Sequence, residues 1–116
     1  MHFHVGKAAH DKLVTCIKGR VLNVVVDVRP ESPNSNQDFS VERAESSNTV
    51  LMMGKSYSHG FLSLTADIWM FYSIYTVRCP SQDRRMFWIS IPFDWPGSQP
   101  LLSDRDEHHP SIQELL

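Results

Sequence analysis

Cysteines, basic runs and long apolar stretches are scarce or missing in this sequence. Cys16 and Cys79 are the only two cysteines, and their spacing fits neither a zinc site nor a disulfide framework, so we expect a structural role in a reducing compartment. No apolar stretch is long enough to span a bilayer. No basic run or face indicates a nucleic-acid or anionic-membrane partner. With no secretory leader recognisable, the sequence predicts a cytoplasmic protein.

The composition is that of an ordinary globular protein. The chain has 116 residues, of which 41% are hydrophobic and 21% charged, with a formal net charge of −2. This length favours one domain, residues 1–116, with a core of its own. The dominant hydrophobic periodicity is two, which is typical of β-strands.

The strongest predicted strand covers residues 21–28. Its alternation predicts one fully apolar face that packs in the core, formed by Leu22, Val24, Val26 and Val28. The opposite face carries Asn23 and Asp27 between valines, and we expect it to look into solvent or into a cavity. A loop rich in proline, serine and asparagine follows at residues 29–36.

Further short strands are predicted along the rest of the chain. They cover residues 13–17, 39–42, 49–53, 61–65, 68–77 and 87–91. Turns are expected at residues 18–20 and from Gly54 to the His59-Gly60 pair, irregular structure at 92–100, and a helical turn at 111–116. Many short strands at close spacing predict a mostly β fold, either a barrel or a sandwich.

Several motifs, taken in order, resemble the dTDP-4-dehydrorhamnose 3,5-epimerase family. They are the opening Met1-His2-Phe3-His4 with Lys12-Leu13-Val14, the long strand from Gly19 to Arg29, Ser32-Pro33, Ser58-His59-Gly60-Phe61, Tyr72, and a closing segment with Trp88, Asp94-Trp95-Pro96 and Leu102-Ser103-Asp104-Arg105-Asp106. The resemblance covers nearly the whole chain, and its specificity lies in the order and spacing of the motifs.

The resemblance implies a cupin-like jelly-roll β-barrel, here without the family's N-terminal segment, that assembles as a homodimer. It also implies epimerisation at C3, C5 or both of a dTDP-4-keto-6-deoxyhexose, with no cofactor and no metal, in deoxysugar biosynthesis. The nucleotide sugar would be held by residues around the cavity, namely Asn23, Asp27, Arg29 and Arg78.

The chemistry requires a base, an enolate stabiliser and an acid on the opposite face of the sugar. His2 is the candidate base, with Asp106 as the carboxylate that orients it and stabilises its imidazolium. Lys12 is the candidate enolate stabiliser, and His59 would act as a second cation or as a hydrogen-bond donor. Tyr72 is the candidate acid.

Each of these residues also has a purely structural interpretation. His2 can be a frayed terminal residue, Lys12 a solvated strand-end lysine, and His59 a turn histidine before Gly60. Tyr72 can be a core or rim tyrosine of an aromatic strand.

The sequence departs from the family pattern at two positions near the predicted site. Arg78 stands where a second active-site tyrosine is usual, and His4 stands where an amide is usual. Arg78 could bind a diphosphate oxygen or face water. The missing tyrosine leaves open whether both carbons are inverted.

Two other functions compete with epimerisation. In a metal-binding cupin, His2, His4, His10 and His59 would converge on one ion, although Ala8 and Ala9 occupy the neighbourhood where a glutamate ligand is expected. Alternatively, the chain is a non-catalytic epimerase-like barrel that binds sugar nucleotides or supports assembly. Apart from Asp106, the acidic tail at residues 104–107 and the following His108-His109 are predicted to be a solvated end rather than a ligand site.

Overall fold

The protein folds into two antiparallel β-sheets that pack face to face. In this computed structural model, the described residues are 1–4, 11–74, 83–91, 93–97 and 100–115. The strands are β1 (His2–His4), β2 (Lys12–Lys18), β3 (Arg20–Asp27), β4 (Asp38–Ala44), β5 (Leu51–Met53), β6 (Tyr57–Ser63), β7 (Trp69–Ile74) and β8 (Asp83–Arg85). One sheet has the order β4-β3-β6-β1-β8 and the other β5-β2-β7. This confirms the predicted mostly β, cupin-like fold, although the described strands do not close into one continuous barrel.

Helical structure is confined to short segments. Two 3-10 turns lie at Glu45–Ser47 and Trp88–Ser90, and two four-residue helices follow, α1 (Asp104–Glu107) and α2 (Ile112–Leu115). The helical turn predicted near the C-terminus is therefore confirmed. None of the described helices is long and apolar enough to cross a membrane.

Strand β3 is buried on both of its faces. The predicted apolar face is confirmed, because Val24, Val26 and Val28 pack with Met86 and Ile91 on the outer side of the larger sheet. The other face was expected to look into solvent or a cavity. Instead it meets the smaller sheet, where Val25 packs against Val14 and Met53. Asn23 and Asp27 are only 1% and 3% exposed.

The turn predicted between the second and third strands is confirmed and depends on glycine. Gly19 adopts φ +80°, a conformation that glycine tolerates without strain. A Cβ atom at this position would also lie only 2.4 Å from the backbone oxygen of Asp67. Cys16, just before this turn, is a free buried cysteine whose thiol donates to the Lys18 carbonyl oxygen at 3.2 Å.

Three predicted elements differ from the structure. The strand expected at residues 61–65 is β6, Tyr57–Ser63, so His59 and Gly60 lie inside a strand rather than in a turn. The strand expected at 87–91 is instead a 3-10 turn at Trp88–Ser90, in which the Ser90 amide donates to the Phe87 carbonyl. The strand expected at 49–53 is shorter, beginning at Leu51.

The chain after β8 covers the outer face of the larger sheet. Partly buried Leu22, Trp88, Phe93 and Trp95 pack against the cluster on that face. Trp95 donates its indole N–H to the Trp88 carbonyl oxygen at 3.2 Å, and the two rings meet edge to face. These contacts explain why this apolar segment packs as an irregular cover rather than as another strand.

Candidate functional site

Strand register brings two predicted site histidines together on the larger sheet. His2 of β1 and His59 of β6 are directly paired residues of adjacent antiparallel strands. Because paired residues project from the same face of a sheet, both imidazoles point to the same side. Val25 of β3 is the partner of His59 on its other side, so this side faces the smaller sheet.

The smaller sheet supplies the remaining predicted groups from the opposite wall. Tyr72 of β7 pairs with the buried Val14 of β2, and Lys12 begins β2 on the same face. The Tyr72 ring lies against His59, with 6.0 Å between ring centroids and 56° between ring planes. Groups from both sheets therefore meet between them.

A cavity of about 740 Å³ opens at this place, and four of the five predicted catalytic residues line it: His2, His59, Tyr72 and Asp106. Its walls also include apolar side chains from β6 and from the C-terminal part of the chain, among them Phe61, Leu62, Trp88, Trp95 and Leu102. This volume lies within the range usual for small-molecule sites, and a few convergent polar groups in an apolar wall are typical of them.

Asp106 is held in place by the turn that precedes it. Ser103 Oγ donates to Asp106 Oδ2 at 2.8 Å, and the Asp106 amide donates to the Ser103 carbonyl oxygen. The other carboxylate oxygen, Oδ1, lies 3.6 Å from His2 Nε2. Partial burial alone would raise the pKa of Asp106, but the Ser103 hydrogen bond and the positive charges of the amino terminus and His2 lower it overall. Asp106 is thus ionised at pH 7 and adjacent to His2.

His59 is neutral at pH 7. Burial first, and then the positive charges of Lys12 and His2, lower its pKa from 6.5 to about 3. Of the two roles considered from the sequence, a second cation or a hydrogen-bond donor, only the donor fits this environment. Lys12 does not line the cavity. Its ammonium is nevertheless close enough to His59 for its positive charge to lower the pKa of that imidazole.

Tyr72 keeps its proton over the physiological pH range. Burial raises the pKa of its phenol above the ordinary value of 10.0. A phenol that stays protonated can donate a hydrogen bond or a proton into the cavity. Tyr72 thus has the protonation state that an acid needs before the reaction starts.

Asp27 and Arg29 form a tight ion pair away from the cavity. Arg29 donates to the Asp27 carboxylate from Nε at 2.8 Å and from Nη2 at 2.6 Å, and Ser32 Oγ donates to it at 2.6 Å. Arg29 also donates to Tyr57 Oη at 2.9 Å and lies over its ring. The hydrogen bonds from Arg29 hold the pKa of Asp27 well below its usual range. This pair supports the loop after β3, and neither residue is among those lining the cavity.

Of the two remaining predicted substrate-binding residues, Asn23 lies within the described part of the chain and Arg78 does not. Asn23 is buried on the inner face of β3, and neither its amide nitrogen nor its oxygen has a hydrogen-bond partner within the described residues. Arg78 lies outside the described residues. So do His10 and the side chain of His4, which the metal-cupin alternative requires. Over the described part of the chain, no group of three or more His, Cys, Asp or Glu side chains is placed to hold a metal ion.

One residue near the site was missed by the sequence analysis. His109 was assigned to a solvated tail, yet its side chain is 10% exposed and its Nε2 lies 3.6 Å from Asp106 Oδ1. The signal that could have found it is the short spacing of three residues between Asp106 and His109, since His109 lies just beyond the end of α1.

Comparison with known proteins identifies the family. The sequence model described as dTDP-4-dehydrorhamnose 3,5-epimerase matches residues 1–114. The dTDP-4-dehydrorhamnose 3,5-epimerase of Salmonella typhimurium is 33% identical over 119 residues, covering 100% of this chain and 65% of the relative.

Two solved structures share this fold. The rmlC epimerase of Mycobacterium tuberculosis matches with a TM-score of 0.93 and 30% identity, over 99% of this chain and 60% of that one. A 3'-monoepimerase from Streptomyces bikiniensis, solved in complex with dTDP-quinovose, matches with a TM-score of 0.90 and 30% identity, over 97% and 58% of the two chains. The chain thus spans less than two thirds of the length of each of these relatives.

Proposed function

Because the chain belongs to the dTDP-4-dehydrorhamnose 3,5-epimerase family, we propose that it inverts C3, C5 or both in a dTDP-4-keto-6-deoxyhexose. The reaction would serve deoxysugar biosynthesis in the cytoplasm. The observation that carries the proposal is a cavity lined together by His2, His59, Tyr72 and Asp106, which come from both sheets and from helix α1.

Proton abstraction is the first step of the proposed reaction. The hydrogens on the carbons beside the sugar carbonyl are weakly acidic, and His2 takes one of them as a neutral imidazole. The electron pair of the broken C–H bond moves into the carbonyl and gives an enolate. Asp106, 3.6 Å from His2 Nε2, stabilises the imidazolium formed at that moment.

The enolate oxygen then needs positive charge or hydrogen-bond donors. Lys12 supplies a compact cation, and the neutral His59 supplies an N–H donor, both on the inner faces of the sheets. Preorganised donors aimed at a developing oxyanion are worth about 3–4 kcal/mol each in other enzymes. No step of this reaction requires a redox cofactor or a Lewis acid, since the carbonyl itself accepts the electron pair.

Reprotonation from the opposite side completes the inversion. Tyr72 projects from the smaller sheet, whereas His2 projects from the larger one. A phenol kept protonated by burial can deliver its proton to the face of the carbon that His2 does not reach. The net reaction transfers one proton to the protein and one back, so that the configuration changes and the composition does not.

A nucleotide sugar is the proposed ligand. The relative from Streptomyces bikiniensis was solved in complex with dTDP-quinovose, and the cavity of about 740 Å³ is of a size that takes such a molecule. Asn23 does not line the cavity, and we assign it a part in organising the wall behind it, because a buried amide without a partner among the described residues needs a partner such as a bridging water. Asp27 and Arg29 would act by supporting the loop after β3, and Arg78 by meeting a diphosphate oxygen.

Deuterium wash-in tests this function directly. We expect the purified protein to introduce deuterium from D2O at C3, C5 or both of dTDP-4-keto-6-deoxyglucose in the presence of EDTA, as followed by NMR. The positions labelled distinguish a 3-, a 5- and a 3,5-epimerase. Folded protein that gives no exchange above background would support a binding module without catalysis. Exchange that appears only when a metal is restored would support the metal cupin.

We also propose a homodimer, with the outer face of the smaller sheet as its interface. This outer apolar face consists of Leu13, Ile17, Met52, Trp69 and Phe71, each between 44% and 66% exposed. Contiguous exposed apolar side chains on a sheet are typical of association surfaces. A second copy of the chain is the proposed occupant, since a flat sheet face can pair with itself about a two-fold axis.

Replacing Phe71 by lysine is expected to convert the dimer to a monomer. The charge would lie within the outer apolar face, on strand β7, where an identical partner offers no opposite charge to pair with it. Light scattering coupled to size exclusion measures the mass. Ile89→Lys, an equally exposed apolar position at 60% on a different surface, is the matched control. A wild-type protein that is monomeric at high concentration would contradict the proposal.

A further inference from the structure

Two imidazoles share one carboxylate oxygen in this structure. Asp106 Oδ1 lies 3.6 Å from His2 Nε2 and also 3.6 Å from His109 Nε2. The two imidazole rings stand edge to face, with 6.3 Å between their centroids. Asp106 Oδ2 accepts a hydrogen bond from the Ser103 hydroxyl. Both histidines therefore face the other carboxylate oxygen, Oδ1, as their nearest negative charge.

His109 is built into the site rather than lying on its surface. Its side chain is only 10% exposed, and Nε2 is buried without a hydrogen-bond partner among the described residues. A buried polar nitrogen is costly unless a charge or hydrogen bond compensates it. The ionised carboxylate of Asp106 is the nearest compensation, and it is the same group that the proposed base uses.

We propose that His109 is a positioning residue that shares Asp106 with His2 and thereby sets the basicity of His2. The inference rests on the proposed function, in which His2 is the base. One carboxylate oxygen can stabilise one imidazolium fully, but not two. The charged groups that face His109 are Asp106 on α1, His2 on β1, the amino group of Met1 and Arg85 on β8.

The direction of the effect follows from these charges. Burial, the amino group of Met1 and Arg85 lower the pKa of His109 despite the opposing effect of Asp106, so that His109 is neutral at pH 7. While neutral, His109 still places its Nε2 3.6 Å from the Asp106 oxygen that faces His2, and it limits how far that oxygen can stabilise a proton on His2. Once protonated at lower pH, His109 also repels a proton on His2. Removing His109 therefore leaves Asp106 wholly to His2 and raises the pKa of His2.

The test is a titration of the substrate-free protein, followed by a pH profile. The Cε1 proton of His2, assigned with His2→Gln, would be titrated by NMR in the wild type, His109→Gln and His109→Phe. We expect the pKa of His2 to rise by about 0.5 to 1 in both variants, since loss of a competing group within this distance has effects of that order. His108→Gln, a change at the exposed neighbour, should leave the pKa of His2 unchanged.

In the pH profile of the wash-in rate, the acid limb of the His109 variants should move to higher pH by the same amount as the pKa of His2. A purely structural role would lower the rate without moving this limb. An unchanged pKa of His2 in both folded variants would overturn the proposal. Absence of wash-in from the wild type would refute the proposed function and any catalytic use of His109, while the titration would still show whether the two histidines are coupled.

Discussion

Replacing His2 by alanine is expected to lower the rate of deuterium wash-in by about a hundred- to ten-thousandfold, which is the usual contribution of a positioned general base. The imidazole is the group next to the ionised Asp106, and it lines the cavity beside His59 and Tyr72. His59 cannot take over as base without cost, because its pKa of about 3 makes it a weak proton acceptor. Asp106 is the carboxylate partner of His2, 3.6 Å from its Nε2.

The control is His108→Ala, which removes an exposed imidazole close to α1 and should leave wash-in unchanged. Added imidazole should restore part of the activity of His2→Ala, because the substitution leaves space in the cavity wall for a small base. Unchanged turnover in folded His2→Ala would show that His2 is not the base and that another group of the cavity abstracts the proton.

Replacing Tyr72 by phenylalanine is expected to separate exchange from inversion. Without the phenol, His2 can still abstract the proton and return a deuteron to the same face, so that wash-in into the starting epimer persists. Delivery from the opposite face loses its donor, and formation of the inverted product should fall by about a hundredfold or more. The NMR experiment reads both quantities from one sample, because the two epimers have distinct ring couplings.

Tyr57→Phe provides a matched control, since it removes a hydroxyl that accepts a hydrogen bond from Arg29 and that does not line the cavity. We expect it to leave the ratio of inversion to wash-in unchanged. Equal losses of wash-in and inversion in Tyr72→Phe would argue that Tyr72 positions the substrate rather than acting as the acid. An unchanged rate of inversion would exclude it from both roles.

The sequence predicted the central strands well because their side-chain alternation is strong and local. Leu22, Val24 and Val26, at every second position of β3, are all apolar, and this outer face packs as expected. Its inner face was misjudged, because Asn23 and Asp27 are buried by tertiary contacts that the alternation of the strand does not reveal. Strands β1 and β8, of three residues each, are too short to show a period.

The segment after β8 shows how tertiary contacts override local preference. Residues 87–91 have the apolar, β-branched composition of a strand, but Trp88 and Ile91 are used to cover the larger sheet. A 3-10 turn presents those side chains to one side over a short distance. Composition alone could not have distinguished this cover from another strand.

The candidate site could be predicted only through the ordered resemblance, because its residues are distant in sequence. His2, His59, Tyr72 and Asp106 come from four different elements, and no local motif joins them. The resemblance includes these four positions but not His109, so His109 was not predicted as a site residue. Only the folded arrangement reveals that His109 reaches the same carboxylate oxygen as His2.

Within the described residues, strand β1, which carries His2, has fewer pairing positions than the central strand β3. It pairs with β6 at one of these positions and with β8 at three, whereas β3 pairs with each of its neighbours at seven. Short, sparsely paired strands open locally at a lower free-energy cost than the central strands of the same sheet. Gentle heating or low denaturant should therefore release β1, and with it the proposed base, before the rest of the protein unfolds. Activity should then be lost at a lower temperature or denaturant concentration than the fold.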